Sequence, residues 1–96
     1  MIYPDGKTRY EGKMVNGLPH GYGRLWTAGG VVCAGAFEFG SAHGRAIQRM
    51  PNGNVYTGGF REGRRDGEGT FTFFQESVTV KGVWVNGIYQ VQPVKT

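Results

Sequence analysis

This chain of 96 residues has a single cysteine, Cys33, so it has no internal disulfide and is expected in a reducing compartment. It has no apolar run near the ~20 residues that a membrane helix needs. Its first residues, MIYPDGKT, contain no apolar stretch of the kind a signal peptide carries. No segment places apolar residues at a helical period, so no substantial helix is expected. Acidic residues number 7 against 11 basic ones, and the basic residues never form a run. The net charge of +4 therefore favours anionic surfaces only weakly.

Glycine and aromatics are abundant instead. Eighteen glycines far exceed the usual share of roughly 7%, and aromatics reach 14%. Glycine without aromatics would describe a linker. Glycine with aromatics describes tight turns between short, packed strands.

The glycines are in phase. Gly12, Gly35, Gly58 and Gly82 follow one another at 23, 23 and 24 residues, and Gly17, Gly40, Gly63 and Gly87 repeat the same steps. His20-Gly21, His43-Gly44 and Asp66-Gly67 form a third column, and Gly23, Ala46 and Gly69 a fourth. Two residues before the first glycine stand Tyr10, Cys33, Tyr56 and Val80. Two residues after it stand Met14, Phe37, Phe60 and Trp84. A period of this length is the mark of a repeat architecture.

By the period of two along a strand, Tyr10, Gly12 and Met14 share a face, as do their counterparts in later copies. A strand glycine between two bulky neighbours marks a close approach. The expected visitor is an aromatic ring from a neighbouring repeat. The second stretch of each unit adds Leu25 and Thr27, Gln48 and Met50, then Phe71 and Phe73 to that apolar face. The opposite face carries Tyr22, Arg24 and Trp26, then Arg45, Ile47 and Arg49, then Glu68, Thr70 and Thr72. In NGLPHGYG, residues 16–23, Asn16-Gly17 is expected to end one strand and Leu18-Pro19-His20 to make the bend. Pro4-Asp5-Gly6, Ala28-Gly29-Gly30 and Pro51-Asn52-Gly53 punctuate the units with turn formers. Phe74 to Ser77 does so without glycine.

The unit Tyr-x-Gly-x-(aromatic)-x-x-Gly-x-x-His-Gly-x-Gly resembles the MORN repeat, the membrane occupation and recognition nexus motif. YEGKMVNGLPHGYG (10–23) matches best, and YTGGFREGRRDGEG (56–69) carries Asp66 in the histidine slot. CAGAFEFGSAHGRA (33–46) has Cys33 and Ala46 in place of tyrosine and glycine, and VKGVWVNG (80–87) stops before the His-Gly half. The expected fold is all-β: one elongated antiparallel meander of seven or eight strands, stacked as β-hairpins of about 23 residues. The expected division is 1–8 as the end of a preceding repeat, 9–31, 32–54 and 55–78 as repeats, and 79–96 as a partial repeat with a closing strand through Tyr89, Val91 and Pro93. Either the chain is a fragment of a longer array or its first strand is orphaned. Both leave edges that favour association.

Catalytic and ligand-binding readings fare poorly. His20 and His43 suit a turn that binds its own loop, since aspartate replaces them in copy three. Cys33 lies in the apolar tyrosine column with no histidine in phase. The glycine pairs have no helix behind them to make a phosphate site. Arg61, Arg64 and Arg65 are diluted by Glu62 and Asp66 into a solvated turn. No enzyme activity, cofactor, metal or nucleic-acid partner is expected. The expected function is a non-catalytic scaffold that binds another protein, or a second copy of itself, through Tyr10, Met14, Leu25, Phe37, Tyr56, Phe60, Phe71, Phe73 and Trp84. The alternative is peripheral binding of anionic lipid, a phosphoinositide or other acidic phospholipid, through Arg24, Trp26, Arg45 and Arg49. The resemblance implies a cytoplasmic setting with membrane or cytoskeletal association, since such arrays occur beside lipid kinases and a lysine methyltransferase as accessory modules.

Overall fold

A computed structural model describes residues 1–91; Pro93, assigned above to the closing strand, lies outside them. Eight antiparallel strands follow in chain order: β1 (Arg9–Val15), β2 (Leu18–Trp26), β3 (Val32–Glu38), β4 (Ser41–Arg49), β5 (Val55–Arg61), β6 (Arg64–Phe73), β7 (Val78–Val85) and β8 (Ile88–Tyr89). They form one sheet in the order β1 to β8, so every strand pairs only with its chain neighbours. Its extents are 52 × 25 × 18 Å, those of a single layer, and among the described residues no second sheet or helix lies against it.

A single layer has to build its core from its own side chains. Tyr10 and Tyr56 are almost fully buried, joined by Cys33, Phe37, Ala42, Ala46, Phe60 and Trp84. The tyrosine ring folds along its own strand, because the residue two places on, Gly12 or Gly58, has no side chain. It also covers the glycine opposite, Gly23 or Gly69, where an added Cβ would collide with the phenol. The hydroxyl ends the fold-over by donating to a backbone carbonyl, Lys13 at 2.8 Å for Tyr10 and Gly59 at 2.9 Å for Tyr56. The covering ring thus comes from the same copy, and not from a neighbouring repeat as the pattern suggested. The neighbour contributes the next contact. Phe37 meets Tyr10 edge-on at 5.1 Å, and Trp84 meets Tyr56 at 5.0 Å. The aromatics of copies two and four thus close over the tyrosine of the copy before. Met14 has no such tyrosine to sit on and is 38% exposed.

Copy two explains itself in the same terms. Cys33 is too small to cover a neighbour, and Ala46 supplies the methyl that glycine leaves out in copies one and three. The two departures from the motif compensate each other. In copy four Val80 takes the tyrosine slot, and Tyr89 from β8 covers Gly82 instead.

The hairpin tips are two-residue turns with both central residues at positive φ. Asn16 (51°) and Gly17 (77°), Phe39 (48°) and Gly40 (92°), Glu62 (51°) and Gly63 (83°), and Asn86 (49°) and Gly87 (84°) all follow this pattern. Leu18-Pro19-His20 is therefore already strand, not bend, because the tighter turn matches the strand twist. The His-Gly pair makes a bulge: pairing slips by two residues beyond Gly12, Gly35 and Gly58, which leaves His20-Gly21, His43-Gly44 and Asp66-Gly67 as the extra residues.

The bulge turns the His/Asp side chain towards the next copy. His20 Nδ1 accepts the Phe39 amide at 3.4 Å, His43 Nδ1 the Glu62 amide at 3.4 Å, and Asp66 Oδ2 the Asn86 amide at 3.3 Å. Beside them the Gly40, Gly63 and Gly87 amides donate to the Pro19, Ala42 and Arg65 carbonyls at 2.8–2.9 Å. The histidine slot does serve a turn, but the turn of the following repeat.

Two outcomes follow. Gly69→Ala places a Cβ 2.5 Å from Tyr56 Oη and destabilises by about 1–3 kcal/mol. Tyr56→Cys alone costs about 3–5 kcal/mol. Together they recreate the Cys33–Ala46 pair, so urea melts should show the double variant less destabilised than the sum by about 1 kcal/mol or more. Strict additivity would show that ring and glycine are not coupled. Separately, Asp66→Ala removes the acceptor for the Asn86 amide. It should cost about 0.5–1.5 kcal/mol and speed hydrogen exchange at Asn86 more than at Glu62.

Candidate functional site

The register sorts the side chains onto two faces. On the aromatic face Tyr10 stands opposite Leu25, Cys33 opposite Gln48, and Tyr56 opposite Phe71. Of the nine residues expected to bind a partner there, Tyr10, Phe37, Tyr56, Phe60 and Trp84 are buried in the core. Leu25 and Phe71 are half-buried, and Met14 and Phe73 are exposed. A partner would therefore touch the rims of the aromatic columns, not their centres.

Those rims enclose two hollows. Between copies one and two, Leu25, Val31, Cys33, Phe37, Gln48 and Phe60 help line a hollow of about 210 Å³, where the short Cys33 leaves room. Between copies three and four, Phe71, Phe73, Val80, Trp84 and Tyr89 wall an open groove of about 320 Å³ with Arg65 among its lining. Phe71 and Phe73 stack at 4.6 Å, and Trp84 and Tyr89 at 5.0 Å, so the groove runs between two aromatic pairs.

Arg65 was assigned above to a solvated, mixed-charge turn. The structure places it on the aromatic face, half-buried, opposite Phe60. Its guanidinium lies 5.3 Å from the Tyr56 ring centre and 5.0 Å from that of Phe71, and Nε donates to Gln48 Oε1 at 2.9 Å. Burial lowers its pKa, with the Tyr56 charge opposing. A signal was present in the sequence: Pro19, Ala42, Arg65 and Tyr89 fall at 23, 23 and 24 residues, a column of the apolar face.

The opposite face carries cross-strand rows. One runs Arg9, Trp26, Val32, Arg49, Val55, and the next Glu11, Arg24, Ala34, Ile47, Thr57. Arg24, Trp26, Ile47 and Arg49 share a shallow groove of about 270 Å³. Arg9 stacks over Trp26 at 4.2 Å, and Arg24 lies 5.8 Å from it. Arg45 is not with them. It lines a separate depression of about 460 Å³ with Thr57, Glu68, Thr70 and Lys81, where an acid and two bases mix. The expected lipid-binding quartet is thus a trio plus one.

Three segments, residues 10–31, 33–55 and 56–77, match the family model described as "MORN repeat". The chain belongs to the MORN repeat family. MORN repeats are non-catalytic binding and scaffold modules. Over 69 residues, 67% of this chain, it is 33% identical to the protein named Alsin from Rattus norvegicus and 32% identical to the Alsin of Homo sapiens and of Mus musculus. The chain spans only 4% of the length of these relatives. Among the described residues, no group of three His, Cys, Asp or Glu side chains is placed to hold a metal, and no helix is long and apolar enough to cross a membrane.

Cys33 gives this MORN array a usable titration. Burial pushes its thiol up to about 11 from 9.0, and burial raises the Tyr10 and Tyr56 phenols as well. The thiolate is the reactive form. Cys33 should therefore resist Ellman's reagent in the folded chain at a pH of about 8 and react at once in urea. The sign for stability follows. The folded state holds these protons more tightly than the unfolded state, so stability is full below pH 9 and falls as pH rises towards about 11. Urea midpoints on either side of that window check it.

Proposed function

We propose that this MORN array is a non-catalytic docking module that binds a segment of another protein along its aromatic face. One observation carries the reading. The groove walled by Phe71, Phe73, Val80, Trp84 and Tyr89 is an open apolar channel on a face whose deeper aromatic layer is already packed. A preformed apolar channel with few polar groups suits a protein segment. It offers no convergent acid, base or nucleophile, so the module contributes binding and not chemistry. A second copy of the chain is the homotypic version of the same partner.

The stacking of Arg9 and Arg24 on Trp26, with Arg49 nearby, supports a second reading: weak recruitment to acidic phospholipid through the opposite face. At about 1 kcal/mol per basic residue, these arginines supply an auxiliary contact.

The chain has two tryptophans, one on each face, and they separate the readings. In Trp26→Phe protein the remaining Trp84 reports on the aromatic face. In Trp84→Phe protein the remaining Trp26 reports on the basic face. Protein docking is expected to shift Trp84 emission when peptides selected from a random library are added, and to leave Trp26 unchanged. Vesicles of phosphatidylcholine doped with a phosphoinositide should shift Trp26 emission in a salt-sensitive way if the second reading holds. A Trp84 that responds to no selected peptide would remove the first reading.

A further inference from the structure

We infer that the groove between copies three and four receives an acidic, apolar-sided peptide segment whose carboxylate pairs with Arg65. This rests on the protein-docking reading and adds to it the chemistry of the partner.

The column that holds Arg65 is otherwise Pro19, Ala42 and Tyr89, and Pro19 and Ala42 are buried. A cation here replaces small buried groups in the same structural slot. The register puts the guanidinium on the aromatic face, held over Tyr56 and Phe71. A guanidinium has five N–H donors. Among the described residues its acceptors are Gln48 Oε1 at 2.9 Å and Met50 Sδ at 3.9 Å, the second a weak one. No carboxylate figures among the charges that act on it. The adjacent Asp66 is committed elsewhere, to the Asn86 amide.

A half-buried cation with spare donors, in a groove otherwise walled by Phe71, Phe73, Val80, Trp84 and Tyr89, is complementary to one kind of ligand. The ligand needs a planar anion that can take two parallel N–H bonds, which describes a carboxylate. It also needs apolar side chains beside that anion to cover the aromatic walls. Aspartate or glutamate next to leucine or an aromatic residue, on one protein segment, meets both needs. A free phosphate or a lipid headgroup can accept the two N–H bonds, but it is not planar and brings no apolar side chains to the walls.

The test is a selection of random peptides displayed on phage against the full 96-residue chain, followed by titration of the winners against Trp26→Phe protein, read by Trp84 emission. The expected winners carry Asp or Glu within about four residues of a large apolar side chain, one turn of a helix or less. Replacing that Glu by Gln in the peptide, or Arg65 by Met in the protein, should weaken binding about tenfold or more. Added salt should weaken the parent peptide more than its Gln variant. The peptide substitution and the salt series leave the protein intact, so they decide the matter even where Arg65→Met perturbs the fold. Winners without an acid, or equal affinity of the Glu and Gln peptides, overturn the role of Arg65 while protein docking stands. Absence of any peptide that moves Trp84 emission overturns both.

Discussion

A tyrosine ring laid flat on glycine is the contact on which this sheet depends. A single layer of eight strands has no second layer to bury its apolar side against. Folding the ring down onto the strand gives the layer its own cover, and that is sterically allowed only where two facing positions lack a Cβ. Tyr10 over Gly12 and Gly23, and Tyr56 over Gly58 and Gly69, are the two complete cases. The phenol hydroxyl would be stranded in this core, but the fold-over brings it to the carbonyl three residues on, where it is satisfied. The next copy's aromatic then closes the ring from the side, so each repeat completes the core of the one before it.

The remaining motif positions connect these units. The His-Gly bulge adds two residues to one strand of each hairpin and turns a side-chain acceptor towards the following tip. That tip is held at both of its central amides, one by a histidine or aspartate and one by a backbone carbonyl. An aspartate oxygen and an imidazole nitrogen accept equally well, so the slot tolerates both. Function then falls to what the packing leaves open. One face presents a groove between aromatic walls. The other presents arginines spread over a tryptophan.

Much of this was legible in the sequence. The 23-residue phase implied hairpins, and the two-residue period assigned Leu25, Phe71 and Phe73 to the apolar face, where the cross-strand pairs place them. Three things were not legible, each for a physical reason. A period says which residues share a face, but not which ring reaches which glycine, so the cover was assigned to the wrong copy. Bulges hide in a repeat, since every copy carries the same two extra residues and the phase is undisturbed. That is why Leu18-Pro19-His20 read as a bend. Arg65 read as turn charge because Glu62 and Asp66 flank it in the sequence, whereas in space Asp66 serves the Asn86 amide instead. Phe39 stands apart: 75% exposed and at positive φ, where Asn16, Glu62 and Asn86 stand in the other copies, it packs its ring edge-on against His20 at 5.2 Å.

The ring-on-glycine contact can be seen directly by proton NMR. A proton beneath an aromatic face is shifted upfield by the ring current. The Hα protons of Gly23 and Gly69 should resonate well upfield of their unfolded positions, while the Hα of Ala46, which stands in the same slot of a copy with Cys33 in place of the tyrosine, should not. Hα shifts for Gly23 and Gly69 that match those of the unfolded chain would contradict the account at its foundation.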